Sequence, residues 1–99
     1  MENQHRKITG YRELSQEEID LMNRIKAKGS ELLDLQAELQ LMLNKQKTRK
    51  ALDADTESGM AELERFSDAE PLRWASIGKT DIQTGIMALV RAVAQPAGV

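Results

Sequence analysis

The chain has 99 residues, 40% hydrophobic but only 3% aromatic, and no cysteine. A chain this short buries only about 60–65% of the surface it exposes when unfolded, and no disulfide or thiolate metal site can reinforce it, so regular apolar packing or partners must hold it. Fourteen basic residues against sixteen acidic ones give a net charge of −2, the wrong sign for coating duplex nucleic acid through counterion release, although a few placed cations suffice for a small anion.

Residues 1–14 contain His5, Arg6, Lys7, Gly10, Tyr11 and Arg12 with no sustained apolar period, which predicts an arm leading into a helix. The polar opening from Met1 to Lys7 lacks the apolar core of a secretory signal, and no stretch approaches the roughly 20 apolar residues of a membrane span. The expectation is a soluble, intracellular protein.

Ser15-Gln16-Glu17-Glu18 is a capping box, in which the Ser hydroxyl serves a free backbone N–H and Glu18 reaches back. A long helix is therefore predicted over 15–52. Leu21, Ile25, Leu32, Leu35, Leu39 and Met42 recur along it at a,d-like spacings, the pattern of a seam in an antiparallel hairpin or a bundle. Met22, Leu33, Leu41 and Leu43 widen that stripe beyond what one partner helix covers, implying a second partner surface. Gly29 interrupts it, at about 1 kcal/mol relative to alanine, and marks either a kink or the close approach of another group.

Asp53, Asp55, Thr56 and Ser58 around Gly59 supply turn and cap chemistry. A short helix is predicted over 57–66 through Met60, Leu63 and Phe66, and a last one over 68–95, opened by Ser67-Asp68 and the first-turn Pro71 and closed before Pro96. Leu72, Ala75, Lys79, Ile82, Ile86, Leu89 and Val93 give it an apolar stripe broken only by Lys79, and Pro71, Gly78, Gly85 and Ala92 fall every seven residues beside it. Two helix-interior glycines cost roughly 2 kcal/mol, which close packing, between copies of the chain, would offset. The fold expected is all-α: one helical domain over 1–99, a long helical hairpin with a short intervening helix, assembling as a homo-oligomer.

Several motifs exclude themselves. Gly78-Lys79-Thr80 resembles the end of a phosphate loop, but Arg73 stands where that pattern needs glycine, and the context is helical. Asp53, Asp55, Glu57 and Glu64 echo a calcium loop, but Ser58 occupies the place of its turn-making glycine. His5 is the only histidine, so metal-assisted and thiol chemistry lack their residues. Neither an enzyme nor a cofactor is expected.

What remains suits a nucleotide: Arg and Lys for phosphate, Tyr or Trp for stacking, Ser or Thr for hydroxyl contacts. One cluster joins Tyr11 and Arg12 to Lys26 and Ser30, if the arm folds back on the first helix, where Met22, Lys26 and Ser30 recur every four residues. A second comprises Arg73, Trp74, Ser76, Lys79 and Thr80, within two helical turns. The competing reading makes Trp74 core and Arg73 a surface cation.

The run from Arg73-Trp74-Ala75-Ser76-Ile77-Gly78-Lys79-Thr80 through Gly85-Ile86-Met87 to Gln95-Pro96 resembles the carboxy-terminal signature of the phage anti-CBASS cyclic-oligonucleotide sponges of the second type. Gly10-Tyr11-Arg12-Glu13-Leu14-Ser15 and Asn23-Arg24-Ile25-Lys26 look like that family's opening, whereas residues 44–66 are not diagnostic. The resemblance implies a phage protein, in the cytoplasm of an infected bacterium, that sequesters cyclic nucleotide messengers without cleaving them. It implies hexamers that hold cyclic dinucleotides such as cyclic GMP-AMP between protomers and, in some members, cyclic trinucleotides such as cyclic tri-AMP on threefold axes. Tyr11 and Lys26 match the family's stacking and phosphate positions for the dinucleotide, with Arg12 and Ser30 beside them, and Arg73, Trp74, Lys79 and Thr80 fall at the trinucleotide site. Ile86 departs from the aromatic residue that relatives often carry there. The alternatives are a ligand-free helical scaffold, or a DNA-binding dimer drawing on Lys45, Lys47, Arg49 and Lys50.

Overall fold

The computed structural model describes residues 12–97, and every regular element among them is an α-helix: α1 (Gln16–Leu52), α2 (Glu57–Ala69) and α3 (Pro71–Ala94). No helix among them is long and apolar enough to cross a membrane. Ser15 Oγ accepts from the Glu18 N–H at 3.2 Å and Glu18 Oε1 accepts from the Ser15 N–H at 2.9 Å, so two donors orphaned at the start of α1 are served reciprocally. Glu17 and Glu18 in the first turn and Arg49 and Lys50 in the last match the helix dipole at both ends.

Thr56, in extended backbone, caps α2 by accepting from the Gly59 N–H at 3.0 Å. The break between α2 and α3 falls at Glu70, later than the Ser67-Asp68 pair suggests. Glu70 takes the left-handed conformation (φ 50°, ψ 48°), donates its N–H to Ser67 O and accepts from the Trp74 N–H at 3.1 Å, so it ends one helix and begins the next. Pro71 then occupies the first position of α3, where a missing N–H costs nothing.

The chain divides into two compact units, one formed by the segment ending at Glu31 with the segment beginning at Ile82, the other by Leu32–Asp81. In the first, Met22, Ile25 and the buried Gly29 of α1 line up with the half-buried Ile82, Ile86, Val90 and Val93 of α3. Gly29 is the place of close approach, since a Cβ there would overlap Cδ1 and Cγ1 of Ile86. In the second, Leu43, Phe66 and Ala75 are buried, at 8%, 6% and 7% exposure. Gln36 spans from α1 to α3, donating to Ala75 O at 3.0 Å and to Gln40 Oε1 at 3.3 Å.

The intrachain face of α1 therefore differs from the apolar stripe read in the sequence. Leu32, Leu35, Leu39 and Met42 are exposed, Leu35 to 60%, while Leu33, Gln36, Gln40 and Leu43 turn inward. In α3 the half-buried Gly78 and Val90 replace Lys79 and Leu89, both exposed. Gly29, Gln36, Gln40 and Gly78 interrupt the inward line, which is why apolar periodicity selects the neighbouring one.

Two glycine substitutions should separate in cost. At Gly59 an added Cβ would overlap the backbone carbonyl of Asp53 and stand 3.0 Å from Thr56 Oγ1, so Gly59→Ala should destabilise by about 1–3 kcal/mol. At Gly29 the obstacle is a movable side-chain end, and alanine returns about 1 kcal/mol of helix propensity, so Gly29→Ala should cost clearly less. Urea midpoints measure both, and the opposite order would contradict this packing.

Candidate functional site

Lys26 and Ser30 stand one turn apart on α1, both exposed, and Lys26 has no ion-pair partner among the described residues. Tyr11 lies outside the described residues. Arg12 is fully engaged: its fork meets the Glu18 carboxylate, Nη1 to Oε1 at 3.4 Å with Nη2 on Oε2, and Nη2 also donates to Val93 O at 2.7 Å. The Arg12 guanidinium rests on Glu18, eight helical positions before Lys26, roughly 12 Å of axis at 1.5 Å per residue. Arg12 and Lys26 thus stand about two helical turns apart along α1.

The second cluster lies on the first turns of α3. Arg73 stacks its guanidinium over the Trp74 ring at 5.1 Å and holds Nε 3.8 Å from Glu70 Oε1. Trp74 is 59% exposed, so within the chain it is not core. Lys79 and Thr80 are exposed as well. At about 100° per residue, Thr80 returns to within about 20° of Arg73, whereas Lys79 stands about 120° away. Arg73 and Thr80 share a face, and Lys79 points elsewhere.

A cleft of about 340 Å³ at the α1–α2 turn is lined by Arg49, Lys50, Asp53, Thr56, Ser58 and Glu62, among others. Its cations are already compensated. Arg49 Nε bonds Asp53 Oδ2 at 3.2 Å, and Lys50 Nζ lies 2.9 Å from Glu62 Oε2 and 5.7 Å from the Phe66 centroid. Glu62 also takes both arms of the Arg65 fork, at 2.7 and 2.6 Å. This clasp was missed in the sequence reading, which took the basic run as one surface; the i,i+3 pair Glu62/Arg65 was its visible signal. Of the four cations open to a DNA reading, two serve the fold. Among the described residues no group of three or more potential metal ligands converges.

A family profile described as the Acb2/Tad1 hairpin domain matches residues 3–94. The chain belongs to that family. It is also similar to a protein named Anti-CBASS protein 2 of Pseudomonas phage JBD67, at 62% identity over 99% of this chain and 99% of that one. The match is to a hairpin domain and to no enzyme family. It covers both clusters, including the segment outside the described residues that holds Tyr11.

The two carboxylate clasps contribute to the acid sensitivity of the chain. Hydrogen bonds from Arg12, then from the Ser15 backbone, hold Glu18 at about 2 against an ordinary 4.5, and those from Arg65, then Lys50, do the same for Glu62. Glu62 in turn raises Arg65. The unfolded chain takes up these protons first, so the stability they contribute is present above pH 4.5 and is lost as pH falls from there toward 2. Thermal midpoints between pH 7 and 2 should show that acid limb, and the Glu18→Gln, Glu62→Gln double variant should flatten it; an equally steep limb would contradict the assignment.

Proposed function

We propose that this chain is a phage immune-evasion protein, acting in the cytoplasm of the infected bacterium, that sequesters cyclic nucleotide messengers of the host's CBASS defence and leaves them intact. The 62% identity to Anti-CBASS protein 2 across nearly the whole of both chains is the observation that bears most weight. Uncommitted cations and an exposed indole on the surface of the helices are consistent with it, because binding an anion needs placed charges and flat rings.

In this reading a cyclic dinucleotide such as cyclic GMP-AMP stacks a base on Tyr11 and sets a phosphate against Lys26, with Arg12 and Ser30 bordering the contact. A cyclic trinucleotide such as cyclic tri-AMP takes Arg73, Trp74, Lys79 and Thr80. The axial gap between Arg12 and Lys26 favours sites completed by a second copy. So does the exposed line Leu32, Leu35, Leu39 and Met42, which a six-membered helical bundle would bury. No cofactor or membrane enters the mechanism, and duplex nucleic acid does not.

Sequestration works by mass action, so affinity replaces turnover. Closed sites suit it, because a lowered local dielectric strengthens each lysine–phosphate contact. A ligand-free scaffold would use the same apolar line, and the two readings part on ligand response.

Intact-complex mass spectrometry with cyclic GMP-AMP and cyclic tri-AMP should show a hexamer holding unmodified ligand, and Leu35→Glu should shift it toward smaller species. By calorimetry Tyr11→Ala should lose about 1–3 kcal/mol of dinucleotide binding, the worth of one stacked base, while retaining the trinucleotide. A purified protein that ignores both ligands would leave the scaffold reading in place.

A further inference from the structure

Arg12 follows directly after the residue proposed to stack on a base, yet its own charge is spent within the chain. Val93, whose carbonyl it binds, lies in the last turn of α3, where carbonyls have no intrahelical donor and a cation meets the negative pole of the helix dipole. Gln95 turns the chain away there, in left-handed backbone (φ 49°), with its N–H on Arg91 O at 2.7 Å. Glu18, the other partner of Arg12, is at the same time the acceptor for the Ser15 N–H at 2.9 Å. One carboxylate thus ties the capping box of α1, the segment before it and, through Arg12, the end of α3.

We infer that Arg12, Glu18 and the Val93 carbonyl form a latch that positions the segment entering α1, and that Arg12 is a positioning residue for the dinucleotide contact rather than a ligand of its phosphate. The inference rests on the sponge reading above and assigns a mechanism to one of its residues. A phosphate approaching Arg12 meets the Glu18 carboxylate already in contact with the guanidinium, and like charges repel. Lys26 has no such competitor among the described residues. Fastening the entering segment to α3 before the ligand arrives lowers the ordering cost of binding, because apparent affinity scales with the fraction of molecules already competent.

Glu18→Gln separates the two roles by sign. Glutamine keeps the capping box, which accepts Glu or Gln at that position, and removes only the charge that holds Arg12. If Arg12 were a phosphate ligand, freeing it would tighten the complex. A positioning role requires the reverse: about three- to tenfold weaker cyclic GMP-AMP binding, with cyclic tri-AMP unchanged. Glu18→Asp, whose shorter side chain withdraws the carboxylate from the Arg12 fork, should move affinity the same way and serves if Glu18→Gln does not fold. Unchanged or tighter dinucleotide binding overturns the latch, and so does an equal loss of both ligands, which marks general destabilisation. Failure of the sponge reading is visible separately, in wild-type protein that binds neither ligand.

Discussion

A helix can turn only one face toward a given neighbour, and α1 has apolar residues on two. The inward line of Met22, Ile25, Gly29, Leu33 and Leu43 serves the chain itself, and Leu21, Leu32, Leu35, Leu39 and Met42 are left in contact with water. Buried hydrophobic side chains among the described residues come down to Leu43, Phe66 and Ala75, a small core for a chain with this much aliphatic content. At roughly 25 cal/mol per Å² of apolar surface, covering the second face would stabilise the molecule further, and the proposed association of copies would draw on the same constraint that shapes the hairpin.

Local chemistry made much of the fold readable. The capping box at Ser15, the turn residues between Asp53 and Gly59 and the first-turn proline at Pro71 each leave a short-range signature, and the helices begin or end beside them. Two features left none. Glu70 adopts a left-handed backbone that usually announces itself as glycine or asparagine, so Pro71 marks that a helix starts there but nothing marks Glu70, rather than Ser67, as the place where α2 stops. The inward line of α1 contains Gly29, Gln36 and Gln40, which periodicity reads as interruptions; Gln36 is at home there only because the Ala75 carbonyl accepts its proton.

Candidate side chains were legible by type rather than by arrangement. Lys26, Ser30, Arg73, Lys79 and Thr80 are all exposed, as residues awaiting a ligand would be. The proposed sites between copies would leave them so, because part of each wall would belong to another molecule. Arg12, like Arg73, has its partners within the chain, and a sequence cannot distinguish an arginine aimed at a phosphate from one aimed at a helix end. Both need the same guanidinium.

If the wide stripe and the anion sites belong to one set of contacts, ligand binding and assembly become a single equilibrium. A ligand held between copies binds only the assembled form, and by linkage it stabilises that form by RT ln(1 + [L]/Kd), about 2.7 kcal/mol at a hundredfold excess over Kd. A small chain with little core of its own thereby grows firmer as it fills. Under the proposed sponge function that is the useful direction of coupling: each captured messenger would strengthen the enclosure that retains it.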